Sequence, residues 1–146
     1  MSKGQSPSFA TTIEVRDACL CLHVQRAARS LARLFDEAFR PVGLTNGQFS
    51  LLMSLNRPRP ARMREVAALL AMDRTTLTAA LKTLERRGLL AVDVDPDDRR
   101  GRLLTLTDAG RETLSRAVPI WRETHAELER DIADPDGLRA ALLGIS

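Results

Sequence analysis

The first third of the chain carries a helical pattern of apolar residues. Between Thr12 and Arg40 there is no glycine or proline, and apolar residues recur at a spacing of three and four. One apolar set consists of Leu20, Val24, Ala27, Leu31, Leu34 and Ala38, and a second of Cys21, Ala28, Ala32, Phe35 and Phe39. This pattern predicts one long helix with two apolar flanks. Because so short a chain can cover only one flank, we expect the other to meet a second copy of the chain.

Three shorter helices are predicted next. Pro41 and Gly43 end the first helix, and Thr45-Asn46-Gly47-Gln48 reads as a capping box that begins a helix from Asn46 to Leu55. After a proline-containing break, apolar residues from Met63 to Leu70 predict a second helix. Asp73 is expected to cap a third helix that begins near Arg74 and stops at Gly88.

Beyond Gly88 the apolar period changes from helical to alternating. Leu90, Val92 and Val94 form one run, and Leu104 and Leu106 form another, which predicts a β-hairpin. Its tip, from Asp95 to Gly101, is charged and is expected to project into solvent. The remainder is predicted to be helical. A long helix capped by Thr107 or Asp108 is expected to be kinked by Pro119, and a short last helix begins at Asp134-Pro135.

Composition and charge narrow the classes of protein. The 146 residues are 44% hydrophobic and 28% charged, with a net charge of +3, which is ordinary for one compact globular unit. Residues 57–102 hold eleven basic and seven acidic residues, whereas residues 103–146 hold five and eight. This central basic excess favours a nucleic-acid partner. Neither a membrane-spanning stretch nor a signal-peptide layout is apparent, so a cytoplasmic location and no membrane partner are expected.

Two short helices joined by a tight link and followed by a hairpin with a basic tip indicate a winged helix-turn-helix. The runs Leu69–Thr78 (LLAMDRTTLT) and Leu81–Leu89 (LKTLERRGL) resemble the recognition region of MarR-type regulators. The run Asp95–Arg100 (DPDDRR), with Leu104, Leu106-Thr107 and Gly110 behind it, resembles the wing of the same family. The resemblance extends from about Asp17 to Ile132 and includes Leu44-Thr45 with Gln48-Phe49.

The resemblance implies a mainly α protein with a small β-hairpin wing and dimerisation helices at both ends. Residues 1–42 would form the N-terminal dimerisation helix, 43–107 the winged helix-turn-helix lobe and 108–146 the C-terminal dimerisation helices. Such a homodimer binds a palindromic operator in double-stranded DNA. It is most often a repressor that acts near its own promoter, is released by a small, often aromatic, ligand, and needs no cofactor.

The predicted DNA contacts lie at two places. Asp73 as cap leaves the first turns of the recognition helix exposed, where side chains reach base edges and phosphates; these residues are Arg74, Thr75, Thr76, Thr78 and Lys82. At the wing tip, Arg100 first and Arg99 second are expected to enter the minor groove, with Asp98 holding the Arg100 guanidinium. Arg86 and Arg87 are predicted to contact phosphates or to support the wing. Ala79 stands where many relatives have arginine, so base reading at this position is expected to be weaker or to shift to Arg74.

The cysteines and histidines allow other interpretations. Cys19, Cys21 and His23 form C-x-C-x-H, but two ligands per chain make an incomplete metal site, and no metal is expected. On one helix the two thiols would point about 200° apart, which excludes an intrachain disulfide without unwinding. The stretch around Cys21 resembles the peroxide-sensing cysteine of the OhrR branch, yet the chain has no tyrosine to hold it. We therefore expect Cys21 to pack structurally and keep redox sensing as an alternative.

Enzymatic activity is not expected. His125 lies on an apolar stripe, no nucleophile with a base completes a catalytic set, and no glycine-rich phosphate loop occurs. A winged-helix module that docks protein instead of DNA is a further alternative, which salt-dependent binding to duplex DNA would separate. Apolar candidates for lining an effector pocket are Trp121, Phe35, Phe39, Phe49 and Met53, although each is expected to serve mainly in the core.

Overall fold

The computed structural model describes residues 4–146 and is mainly α-helical. The chain divides into two compact units, one ending at Leu34 and the other comprising Phe35–Ser146. Within residues 4–146, no helix has both the length and the apolar character needed to cross a membrane. The three-part division predicted from the sequence stays a prediction.

The N-terminal region contains two helices, so the prediction of one uninterrupted helix from Thr12 to Arg40 is wrong. Helix α1 spans Phe9–Ala18 and helix α2 spans Leu20–Ala38. Between them Cys19 has an extended backbone (φ −72°, ψ 108°), and its Sγ accepts the backbone N–H of Leu22 at 3.5 Å. No glycine or proline marks this break, which is why apolar periodicity did not reveal it. Neither helix contains a buried residue.

The second unit begins with the end of α2, a short 3₁₀ turn (Arg40–Val42) and three helices that were predicted closely. Helix α3 spans Asn46–Ser54, α4 spans Met63–Leu70 and α5 spans Arg74–Arg86. The capping box that begins α3 is confirmed, because Thr45 accepts the Gln48 N–H while the Gln48 side chain accepts the Thr45 N–H. Gly88 (φ 72°) follows α5 in the left-handed conformation that glycine adopts readily.

The predicted hairpin is part of a three-stranded antiparallel sheet. Strands β1 (Ala61–Arg62), β2 (Leu90–Asp95) and β3 (Asp98–Leu106) lie in the order β1-β3-β2. The sequence analysis missed β1, since a two-residue strand carries no periodicity. One further expectation was wrong, because Asp95 is buried instead of projecting into solvent. The strand register shifts between Asp95 and the preceding Val94, which is 55% exposed.

The chain ends with two helices. Helix α6 spans Asp108–Arg130 and helix α7 spans Pro135–Leu143. Thr107 caps α6 by accepting the Gly110 N–H, and Asp134 caps α7 by accepting the Gly137 N–H. Thr107 is one of the two residues predicted to cap α6, and the predicted start of α7 at Asp134-Pro135 is confirmed. No residue of α7 is buried.

The core lies between helices α3 to α6 and the sheet. Its most completely buried large side chains are Phe39, Leu51, Leu52, Leu77, Leu84, Leu90, Leu104 and Val66. Leu77, Leu81 and Leu84 form the buried face of α5. Since this face holds α5 against the core, the opposite face of the helix is turned outward for binding.

Candidate DNA-binding surface

A tight turn places the start of α5 on the surface. Ala71 adopts a left-handed conformation (φ 51°, ψ 41°), and the Met72 N–H donates to the Ala67 carbonyl at 2.9 Å, which closes α4. Asp73 then begins α5. Its carboxylate accepts both the backbone N–H and the hydroxyl of Thr76, each at 2.8 Å. Three residues therefore separate the two helices, as in a helix-turn-helix.

The cap at Asp73 is sensitive to acid. The hydrogen bond from the Thr76 N–H, followed by that from its hydroxyl, lowers the pKa of Asp73 below its usual 3.8. A carboxylate with a lowered pKa stabilises the fold above its unfolded pKa and loses that effect as the pH falls through the folded pKa. We expect wild type to be more stable than Asp73→Asn near neutral pH, with the difference shrinking as the pH falls below the usual carboxyl pKa of 3.8. Denaturant titrations of both proteins across that range measure it, and a constant difference contradicts the prediction.

The predicted recognition residues lie on the exposed side of α5, but their hydroxyls differ in availability. Arg74, Thr75 and Lys82 are exposed. The Thr76 hydroxyl donates to the cap, and the half-buried Thr78 hydroxyl donates to the Arg74 carbonyl at 2.7 Å. Both hydroxyls keep acceptor capacity, whereas Arg74 and Lys82 supply positive charge.

The wing is a hairpin with a two-residue turn at Pro96 and Asp97. Its tip arginines, Arg99 and Arg100, are exposed. Asp98 supports this tip differently from the prediction, because its Oδ1 accepts the backbone N–H of Arg100 at 3.1 Å. Among residues 4–146, no ion pair joins the Asp98 carboxylate to the Arg100 guanidinium. Asp98 thus holds the wing backbone at Arg100 and not the Arg100 guanidinium.

The start of α5 and the wing meet at one cleft. The Arg74 guanidinium donates to the Arg100 carbonyl at 3.5 Å. A cavity of about 320 Å³ is lined by residues of both α5 and the wing. The lining residues are Arg62, Met63, Arg64, Ala67, Arg74, Asp95, Asp98, Arg100, Gly101 and Arg102. Five arginines against two aspartates make this cleft basic, which suits a polyanion.

Three arginines of this cleft were missed by sequence reasoning. Arg62 directly precedes α4, and Arg64 lies in its first turn. Both belong to a basic run with Arg57 and Arg59 that was counted only toward regional charge, although the regular spacing of these arginines was a usable signal. Arg102 stiffens the wing by donating to the carbonyls of Arg99 (3.2 Å) and Gly101 (3.0 Å).

The remaining predicted residues lie outside the cleft. Lys82 stands about two turns further along α5. The Arg87 guanidinium donates to the Gln48 side chain at 3.3 Å, so it supports the start of α3 and not the wing.

Cys21 belongs to the N-terminal unit. Its Sγ accepts the Gln25 amide at 3.3 Å, and it is exposed, while Cys19 is half-buried. Cys21 is therefore not buried, as the packing role expected for it would require. Because Cys19 lies between α1 and α2, the continuous helix assumed in excluding a Cys19–Cys21 disulfide is not present. That the two thiols cannot pair without unwinding stays a prediction. The nearby His23 Nδ1 lies 2.7 Å from the Cys19 carbonyl, and residues 4–146 contain no cluster of three or more metal-ligating side chains.

A helix-turn-helix and a wing whose cations share one basic cleft define a winged-helix DNA-binding protein. A MarR-family model matches residues 44–101. The chain is 35% identical over 121 residues to the transcriptional activatory protein BadR of Rhodopseudomonas palustris, covering 80% of this chain and 69% of that protein. The chain belongs to the MarR family.

Solved structures agree with this assignment. The transcriptional regulator MosR of M. tuberculosis, in complex with DNA, matches with a TM-score of 0.81 and 38% identity over 87% of this chain and 92% of that one. The transcriptional repressor CouR bound to a 23-mer DNA duplex matches with a TM-score of 0.73 and 31% identity over 97% of this chain and 96% of that one. CouR from Rhodococcus jostii RHA1 bound to p-coumaroyl-CoA also matches, with a TM-score of 0.74 and 25% identity over 88% and 92%. The protein is therefore a DNA-binding transcriptional regulator, and these relatives are not enzymes.

Proposed function

We propose that this protein is a ligand-responsive repressor that binds a palindromic operator as a homodimer in the cytoplasm. The observation that carries the proposal is the shared cleft of Arg74 and Arg100, which brings the first turn of α5 and the wing tip to one basic surface. On this proposal, double-stranded DNA is the partner, and repression follows from occupying a promoter.

The two parts of the surface read DNA in different ways. Helix α5 enters the major groove, where Arg74 offers a bidentate contact to a base edge and Thr75, Thr76, Thr78 and Lys82 contact neighbouring bases or phosphates. The wing follows the adjacent minor groove, into which Arg100, and secondarily Arg99, insert positive charge. Asp98 keeps the wing backbone in place for this contact.

Dimerisation is supported by apolar side chains at both ends of the chain. In α2, Leu20 is 72% exposed and Leu34 is 41% exposed; in α7, Leu143 is 73% exposed and Leu138 is 45% exposed. Since α2 and α7 contain no buried residue, their apolar faces are not covered within one chain. A second copy of the chain offers a matching apolar surface. In the proposed division, residues 1–42 and 108–146 supply this interface and residues 43–107 bind DNA. Two α5 helices would then lie about 34 Å apart, one turn of DNA.

A small aromatic effector is supported by an aromatic stack in the second unit. The ring centroids of Phe39 and Phe49 lie 4.5 Å apart in the core. The Phe49 and Trp121 centroids lie 6.5 Å apart, and those of Trp121 and His125 lie 4.9 Å apart. Trp121 and Met53 are each 37% exposed, so the stack runs from the core to the surface. A flat ligand can extend such a stack. CouR, one of the matching structures, binds p-coumaroyl-CoA, a ligand that contains an aromatic acyl group.

The test is binding of the purified protein to the DNA beside its own gene, with footprinting, salt titration and sedimentation. We expect a symmetric footprint, a dimer at micromolar concentration and an affinity that falls steeply with salt. A stable monomer overturns the dimer. Binding that is absent at every salt concentration overturns the DNA assignment and favours the protein-docking module.

A second candidate, a thiol-based redox-sensing regulator, is favoured by the break at Cys19. An extended Cys19 next to an exposed Cys21 allows the two thiols to approach when the first turn of α2 opens. In this reaction the Cys21 thiolate attacks an organic hydroperoxide, which gives a sulfenic acid and an alcohol. The Cys19 thiol then displaces the hydroxyl as water and forms a disulfide.

Peroxide treatment separates the two candidates. If the thiols respond, one equivalent of hydroperoxide lowers operator affinity and removes two mass units per chain, and a thiol reductant reverses both changes. Cys19→Ser and Cys21→Ser then abolish the loss of two mass units. If the cysteines are structural, operator affinity after peroxide is the same in wild type and in both variants.

A further inference from the structure

The wing contains a buried carboxylate directly before its turn. Asp95 is only 3% exposed, and among residues 4–146 it is the one charged residue that is buried. Burying a carboxylate is unfavourable unless hydrogen bonds and opposite charge compensate for the lost water. The contacts of Asp95 therefore show which groups compensate for burial of its carboxylate.

Both carboxylate oxygens of Asp95 have partners. Oδ1 accepts the Asp97 N–H at 2.9 Å, which shapes the turn of the wing, and Oδ2 lies 3.7 Å from Nε of Arg62. Gly101 packs against the same carboxylate, since a Cβ there would lie 3.4 Å from the Asp95 Cβ and 3.6 Å from Oδ2. The strand register shifts at this residue, which turns Asp95 toward the interior.

Arg62 belongs to a different part of the fold. It is the second residue of β1, pairs with Leu103 of β3 and directly precedes α4. Its backbone N–H donates to Glu65 at 3.4 Å, and the same Glu65 oxygen accepts from Arg57 at 2.9 Å. The Arg62–Asp95 pair thus connects the wing turn to the start of the helix-turn-helix.

From these contacts we propose that Arg62 and Asp95 form a wing anchor, which fixes the wing against α4 so that Arg100 and Arg74 keep the spacing needed to contact DNA together. Asp95 acts as a positioning residue, because it is buried and reaches DNA only through the backbone that carries Arg100. The inference rests on the proposed DNA contacts of Arg74 and Arg100.

A purely stabilising role predicts a different pattern of effects. Ion pairs with buried members often add little net stability, and some are retained because they specify a geometry. Without the anchor the wing samples more positions, and the contact of Arg100 with DNA weakens while the core remains folded. The effect on DNA affinity should then exceed the effect on thermal stability and should depend on Arg100.

The test combines Asp95→Asn with Arg100→Ala. Asparagine keeps the acceptor for the Asp97 N–H and removes the charge that faces Arg62. The matched control is Asp93→Asn, an exposed carboxylate two residues earlier on β2. Affinity for operator DNA is measured for the single variants and for Asp95→Asn combined with Arg100→Ala. Hydrogen exchange of the wing amides, including the Arg100 N–H, is measured on the same proteins without DNA.

We expect Asp95→Asn to weaken operator binding about tenfold when Arg100 is present and less than about twofold in the Arg100→Ala background. Wing amides exchange faster in Asp95→Asn and unchanged in Asp93→Asn. Arg62→Gln reproduces the effect, and Arg62→Lys restores part of it. Unchanged wing exchange, or an equal loss of affinity in both backgrounds, overturns the anchor. Failure of the wild type to bind DNA overturns the proposed function instead, and the exchange measurement still decides whether the wing is anchored.

Discussion

Replacing Gly110 by alanine is expected to lower the free energy of unfolding by about 3 kcal/mol, because the added methyl group overpacks a rigid contact. Gly110 is buried in the first turn of α6. A Cβ at this position would lie 2.0 Å from the carbonyl oxygen of Leu89 and 3.0 Å from its carbonyl carbon. Neither atom belongs to a flexible side chain, so the backbone itself must move.

The backbone has little freedom to move here. The Leu89 carbonyl accepts the Thr107 N–H at 3.2 Å, and the Thr107 hydroxyl donates to the Gly88 carbonyl at 2.6 Å while also capping α6. Shifting Leu89 therefore disturbs the junction of the recognition helix, the wing and α6 together. The close approach of two backbones explains why glycine stands inside this helix despite its low helix propensity.

Gly47→Ala is the matched control. Gly47 also lies in the first turn of a helix, but nothing stands within 4 Å of its hypothetical Cβ. Alanine should leave the stability unchanged or raise it by up to about 1 kcal/mol. Urea titrations of both variants and wild type measure the difference. Equal stabilities of the Gly110→Ala and Gly47→Ala proteins would show that α6 moves without penalty.

Much of the fold was predictable because local chemistry decides it. Thr45, Asp73 and Asp134 each accept an N–H from the first turn of a helix, as short polar side chains at these positions should. Gly88 follows the end of α5 because glycine adopts the left-handed conformation found there (φ 72°) readily. Where one residue and its near neighbours determine an element, the sequence is a sufficient guide.

The errors occur where the decisive contact is distant or subtle. The two residues of β1 form a strand only because β3 pairs with them. Asp95 was assigned to solvent from its charge, whereas Arg62, far away in sequence, and the shifted register draw it inside. At Cys19 a thiol that caps a helix interrupts a pattern that apolar spacing presents as continuous.

The candidate site shows the same division. Exposure of Arg74 and Arg100 followed from the helix cap and the hairpin turn, and both arginines lie in the basic cleft. Their proximity to Arg62 and Arg64 depends on how the sheet packs against α4, which no local pattern encodes. The hydroxyl contacts of Thr76 and Thr78 were not predictable either, since residue type alone does not distinguish a free hydroxyl from a bonded one.

The second large effect concerns DNA binding. We expect Arg74→Ala to weaken binding to the cognate operator by about 1 to 3 kcal/mol, because a bidentate contact to a base edge is lost. Base preference should relax at one position in each half-site. Arg100→Ala should weaken binding by a similar amount, reduce the salt dependence by about one phosphate per protomer and lower the preference for a narrow minor groove. If the two losses add, the double substitution should weaken binding by about 2 to 6 kcal/mol, which is roughly 30-fold to 25,000-fold in affinity.

Salt-titrated binding to one palindromic operator and to its single-base variants measures all of these effects. Arg122→Ala, an exposed arginine on α6 outside the cleft, is the control for loss of one positive charge. The pattern across variants matters more than any one affinity. A major-groove contact makes the loss in Arg74→Ala depend on the base, whereas a minor-groove contact makes the loss in Arg100→Ala depend on salt and groove width. If Arg122→Ala weakens binding as much as either variant, net charge alone explains the affinity and the cleft does not read DNA.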